Sequence, residues 1–324
     1  MKFIQSILAF AVLFVSVSNA QDPEHSFKET YEVSVPAQLM ISTSDGNIDV
    51  TSSPGNKIEV FFIATKNNEV LHITREELEK ELILEVLHER NDLKITVKYR
   101  NEHLSFIPKD RIEVNFRINT PRETVTNLNT SDGNVSLDGL DGEQQCRTSD
   151  GNIRIDNVSG SVVGKTSDGD VSVRQVKGPV EIATSDGNIN LSYITGDIES
   201  STSDGNIVLA NINGNTSAKT SDGNINFSEL SGSFDGVTSD GNIRGNFVEL
   251  KKQLTVRTGD GNIDITLPGQ LGLDLDITGE SLHIPLNNFS GRSDERVIRG
   301  KQNGGGIPVN LSASDGRVTL AYRP

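Results

Sequence analysis

Between Thr130 and Arg257, apolar residues return to the same places every 18 residues. In the stretch 148–165 (TSDGNIRIDNVSGSVVGK) they stand sixth, eighth and eleventh, as Ile153, Ile155 and Val158. The next two stretches place Val171, Val173 and Val176, then Ile189, Leu191 and Ile194, in the same positions. The sixth and eighth positions alternate with polar ones, the period of a strand with one buried face. A second, weaker strand runs from the fourteenth position to the next Thr. Its inward positions are the fifteenth, the seventeenth and the Thr itself, for example Val180, Ile182 and Thr184. Gln144 and Thr216 stand where this second strand calls for apolar residues.

Two turns punctuate each repeat. Thr-Ser-Asp-Gly-Asn begins at Thr130, Thr148, Thr166, Thr184, Thr202, Thr220 and Thr238, and Thr258-Gly-Asp-Gly-Asn262 follows 20 residues after the last. Outlying copies lie at Thr43–Asn47 and, degraded, at Ala313–Arg317. Asp bonds readily to the backbone two residues on, and Gly is expected to supply a positive φ. The second turn carries Gly142, Gly160, Gly178, Gly196, Gly214 and Gly232 at the thirteenth position. Each repeat is therefore strand, turn, strand, turn. One such unit cannot bury its apolar face alone, whereas a stack can. The pattern predicts an all-β chain, a β-solenoid (β-helix) of about nine or ten rungs and roughly 45 Å at ~4.8 Å per rung. An open sandwich is disfavoured, because its strands rarely keep one spacing with identical turns.

The flanking segments divide the chain further. Residues 1–20 read as a cleaved signal peptide, with Lys2, an apolar core from Ile7 to Val17, and Ser18-Asn19-Ala20 before Gln21. No Cys follows that site, so a bacterial lipid anchor is not expected. Residues 21–66 read as an N-terminal cap and first rung. Residues 67–110 read as an inserted lobe, with a helix starting at the capping box Thr74-Arg-Glu-Glu77 and a hairpin across Glu89–Asp92. Residues 111–257 form the regular solenoid. Residues 258–324 form irregular rungs and a cap, with a long exposed loop expected over 288–306.

Composition narrows the chemistry. A net charge of −15 argues against nucleic acid and anionic membranes as partners. The single Cys146 leaves no intrachain disulfide and falls at an inward position. The five histidines (His25, His72, His88, His103, His283) show no ligand spacing and no pairing with a nucleophile motif. No cofactor is expected beyond Ca²⁺. For that ion the stacked turn carboxylates Asp150, Asp168, Asp186, Asp204, Asp222 and Asp240 are the candidates, since hard oxygen ligands in repeated turns suit it. The competing reading has each carboxylate accepting N–H bonds from its own turn. The Asn row, Asn134 to Asn262, reads as an amide ladder that Asp170 interrupts. The Thr row points inward, against an ice-binding face. Tyr99, Arg100 and His103 are the candidates if the chain has catalysis, as in a carbohydrate-active β-helix enzyme. The absence of Trp counts against a sugar-stacking platform.

With its repeats laid out, the chain resembles the bacterial putative-adhesin family of exported β-solenoid domains with recurring S-D-G-[ND]-[IV] turns. The matching segments are Ser131–Val135 through Ser239–Ile243 and Ser44–Ile48, with a closing S-D-G-x-[IV] strand at Ser314–Val318. The 67–110 segment departs from that pattern. The resemblance implies a β-solenoid in the cell envelope and carries no catalytic residues. The expected function is a non-enzymatic, adhesin-like interaction module for a protein or glycan partner at the periplasm, cell surface or outside, without a membrane span. A periplasmic scaffold or sensor is the alternative, favoured by the lack of an anchor after the last strand.

Overall fold

The computed structural model describes residues 25–100 and 111–323, and they are almost wholly strand. The N-terminal part supplies β1 (Phe27–Glu32), β2 (Ala37–Ser42), β3 (Ile48–Ser53), β4 (Lys57–Lys66), β5 (Glu69–Val70), helix α1 (Arg75–Glu81), β6 (Leu82–Glu89), β7 (Asp92–Tyr99) and β8 (Glu113–Pro121). The repeats supply β9 (Thr124–Asn129), β10 (Val135–Asp138), β11 (Gln144–Arg147), β12 (Ile153–Ser159), β13 (Val162–Lys165), β14 (Val171–Lys177), β15 (Val180–Ala183), β16 (Ile189–Thr195), β17 (Ile198–Ser201), β18 (Ile207–Asn213), β19 (Thr216–Lys219), β20 (Ile225–Val237) and β21 (Ile243–Thr258). The remainder adds β22 (Ile263–Pro268), β23 (Leu273–Thr278), β24 (Ser281–His283), β25 (Phe289–Ser293), β26 (Val297–Gln302), β27 (Ile307–Ala313) and β28 (Arg317–Arg323).

Two parallel ladders make a solenoid-like stack. The first runs β8–β3–β10–β12–β14–β16–β18–β20–β21–β22–β28–β24. The second runs β7–β2–β9–β11–β13–β15–β17–β19–β20–β21–β27–β23. β20 and β21 are long because each serves the first ladder with its early half and the second with its late half. The register sets Ile153 on Val171, Val171 on Ile189 and Ile189 on Ile207, so equivalent side chains form continuous apolar columns. These residues are fully buried, each worth ~1.5–3 kcal/mol relative to exposure.

The weaker second strand has a steric reason. Its inward column runs Cys146, Gly164, Ile182, Ser200, Ala218 and Gly236. Small residues leave room for large neighbours. A Cβ on Gly164 would stand 2.9 Å from Ile182 Cδ1, and one on Gly236 2.4 Å from the Phe234 ring. Buried Gln144 is satisfied, accepting from Thr126 Oγ1 at 2.7 Å and donating to the Thr124 carbonyl at 2.9 Å.

A strand pair near each end of the described residues is threaded inside the stack. At one end β2 and β3 lie between the later β7 and β8 on the outside and β9 and β10 on the inside. At the other, β27 lies between β21 and β23, and β28 lies between β22 and β24. Of the 67–110 segment, the described residues 67–100 are joined to the stack itself. Its helix and capping box form as expected and β6 pairs with β7 as a hairpin, but β7 is itself the outermost strand of the second ladder. The long loop expected over 288–306 is also corrected. β25 and β26 pair antiparallel there, and β26 pairs antiparallel with β23, so backbone groups that a polar sequence hides from periodicity are used to cover the ladder's last edge. At the opposite end β4 covers β8, β1 covers β4, and β6 covers β7.

Candidate interaction surface

The turn motif is first of all a stitch. The hydroxyl of buried Thr148 sits 2.9 Å from the Ser131 and Gly133 carbonyl oxygens of the preceding turn, placed to donate its single proton there. It also accepts the N–H of its own Gly151 at 3.2 Å. Thr166, Thr184, Thr202, Thr220 and Thr238 repeat this arrangement. The Asn side chains form a second stitch: Asn206 N–H and Nδ2 donate to Asn188 Oδ1 at 3.0 and 3.2 Å, and Asn224 repeats this on Asn206. Asp170 does not interrupt the ladder. Its N–H donates to Asn152 Oδ1 and its Oδ1 accepts from Asn188, so only one amide donor is lost.

The turn glycines are needed for a different reason from the one their sequence suggests. Gly151, Gly169, Gly187, Gly205 and Gly223 do not have left-handed φ; a Cβ on each would lie within 1.9 Å of the carbonyl oxygen of the glycine one rung before. Positive φ is found instead at the thirteenth position, as in Gly160 (146°) and Gly178 (151°). It also occurs at a corner that the apolar pattern signals only by the step from the eighth to the eleventh position. There Asn157, Gln175, Tyr193, Asn211 and Glu229 adopt φ of 54–56°.

The candidate metal residues Asp150, Asp168, Asp186, Asp204, Asp222 and Asp240 are brought into single file and are all exposed. The turns bond through backbone, Ser149 and Asp150 N–H donating to the Ser131 carbonyl at 2.8 and 2.9 Å. Among the described residues no three His, Cys, Asp or Glu side chains converge on a point that could hold a metal ion. At the head of the row Asp45 accepts from Tyr99 Oη at 2.8 Å; burial first, and then this bond, push the Tyr99 hydroxyl above its ordinary range. Arg100 donates to the Glu79 carbonyl, so it braces β7 to helix α1, whereas Tyr99 ties β7 to the turn that carries Asp45. His103 and the expected leader lie outside the described residues. Cys146 is fully buried, and burial pushes its thiol up to about 12.

Of the depressions on the described surface, two lie over the repeats. A groove of about 520 Å³ crosses the second ladder over β13, β15, β17, β19 and the late half of β20. Pro179, Val163 and Phe234 give it apolar lining, and Glu181, Glu199 and Asp235 follow one another along it, with Ser217 between the last two. Lys165 pairs with Glu181 at 2.6 Å. Periodicity does not reveal this groove, because its outward positions vary from rung to rung. A smaller depression of about 370 Å³ lies on the corner beside Tyr193.

The chain belongs to the Toastrack DUF4097 family, whose model matches residues 23–228 and 197–321. No curated protein matches it. Among solved structures it is similar to a Bacteroides fragilis protein named a "putative adhesin" (15% identity, 74% of this chain and 96% of that one, TM-score 0.42). It is also similar to a Parabacteroides distasonis "putative lipid binding protein" (15%, 74% and 96%, TM-score 0.37). A third is a Clostridium sporogenes "putative cell adhesion protein" (13%, 92% and 99%, TM-score 0.19). Among the described residues no helix is long and apolar enough to cross a membrane.

Proposed function

We propose that this chain is an exported, adhesin-like interaction module of the cell envelope, non-enzymatic, which presents a rigid acidic β-solenoid to a protein or glycan partner. The observation that carries this reading is the groove over the second ladder. Its apolar lining and row of carboxylates run across successive rungs, and those rungs are locked together by the Thr and Asn stitches at their turns. A surface fixed in this way loses little conformational entropy on binding, so contact area converts efficiently into affinity. The signal peptide expected over residues 1–20 supports export.

The test has two arms. Protease shaving of intact cells, with lysed cells as control, places the protein at the surface or in the periplasm; protection after lysis as well as before would make the assay silent, so an epitope in the 288–306 hairpin is read in parallel. Immobilised protein is then used to capture envelope components, alongside a variant whose groove is filled by Ser217→Trp. Loss of the captured partner in that variant is the expected result. The same partners held equally by both would overturn the assignment to this groove.

A further inference from the structure

The five corner residues with φ near 55° differ in one respect. Asn157, Gln175, Asn211 and Glu229 are polar, and Asn in particular tolerates the left-handed region well. Tyr193 is a bulky aromatic in that same conformation, and it leaves 58% of its surface exposed. A left-handed bulky residue is strained, and strain kept in a place where neighbouring repeats show an easier solution points to a use for the side chain. The ring is turned outward and is not part of the core, whereas Val176, Ile194 and Ile212 on this corner are buried in the stack.

The ring borders the 370 Å³ depression lined by Asn211, Asn213, Glu229, Glu249 and Lys251. These groups are held in place. Glu229 accepts from Asn246 Nδ2 at 2.9 Å and from Arg323 Nη2 at 3.1 Å, and Lys251 donates to Asn213 Oδ1 at 3.3 Å and pairs with Glu249 at 3.4 Å. The charges balance locally, Glu229 against Arg323 and Glu249 against Lys251, so the site favours neither anion nor cation. An exposed aromatic face beside fixed amide, carboxylate and ammonium groups suits a ligand with an apolar C–H face and a rim of hydroxyls.

We propose that the depression beside Tyr193 is a glycan subsite that stacks a neutral pyranose on the Tyr193 ring and holds its hydroxyls with Asn211, Asn213, Glu229 and Lys251. This rests on the interaction-module reading above and names one ligand class for it. The lack of Trp argues against an extended sugar platform, whereas a single-residue subsite needs only one ring.

The experiment titrates neutral gluco-, manno- and chito-oligosaccharides into the full chain, read by calorimetry and by tyrosine fluorescence, which no Trp obscures. One class is expected to bind saturably. Tyr193→Asn, the residue that the same corner carries at Asn157 and Asn211, should weaken it at least about tenfold while keeping or raising Tm, because it relieves the strained conformation. Tyr193→Phe should keep most of the binding. Affinity unchanged in Tyr193→Asn, or no binding of any of the three classes by the natural chain, would overturn the subsite. Partner capture that depends on the Ser217 groove is unaffected by either result, so the two readings fail separately.

Discussion

At the residue scale the repeated Thr is the smallest unit that explains the stack. Thr184 donates to the Ser167 or Gly169 carbonyl and accepts the Gly187 N–H, the last two contacts being buried. Thr184→Val keeps the shape and leaves the buried Gly187 N–H without a partner, so it should cost ~1–3 kcal/mol in urea unfolding. Thr184→Ser, which keeps the hydroxyl, should cost less; equal losses would mean that the methyl group, not the stitch, matters. Cys146 offers a second check. Its buried thiol, pushed up to about 12 by burial, should resist a disulfide reagent at neutral pH in the folded protein and react fully in denaturant. The inward place of both residues is legible from alternation alone. The reason for the turn glycine is not, because its constraint comes from a carbonyl 18 residues back, which no local turn rule contains.

At the scale of elements, local periodicity finds the strands but not their order. The 18-residue spacing makes β9 to β21 neighbours in sequence and in space, so their arrangement can be read directly. β2 with β3, and β27 with β28, carry degraded or outlying turns, and nothing local says that each pair slots between two rungs formed by other segments. This threading has a measurable result. The outer strands of an ordinary stack fray first, and chain ends fray most readily. Here β27 has hydrogen-bonded neighbours on both sides along most of its length, and β28 has them over Arg317–Thr319. In native-state hydrogen exchange β27 should therefore be protected about as well as β16 and β18, while β24 and β25 exchange first. Fast exchange of β27 with slow exchange of β25 would contradict the inserted order.

For the whole molecule the dominant unsatisfied term is charge. The carboxylates from Asp150 to Asp240 stand in file at about one strand spacing, ~4.8 Å, where neighbouring charges in water repel by roughly 1 kcal/mol per pair. At Asp132 burial first, and then the charges of Asp45 and Asp150, raise the pKa above the ordinary value. A carboxyl raised in the folded state binds more protons there than in the unfolded chain. It therefore stabilises the fold as pH falls from its raised pKa toward the ordinary one. Glu229 and Asp294 act oppositely. Arg323 and Asn246 lower Glu229, the Arg296 backbone and Arg292 lower Asp294, and the stability they give above the ordinary carboxylate range is lost as pH falls through their depressed values. Thermal melts should consequently show Tm rising between ~0.01 and ~0.15 M NaCl as the Debye length shortens from about 30 to about 8 Å. The triple change Asp150→Asn, Asp168→Asn, Asp186→Asn leaves the backbone bonds of the turns intact, and should raise Tm at low salt and flatten its salt dependence. Ca²⁺ at matched ionic strength should act no differently from Mg²⁺, since the row faces solvent and no three of its ligands converge. A saturable rise in Tm with Ca²⁺ alone, abolished by the triple change, would instead make the row a metal site and its even spacing a ligand array.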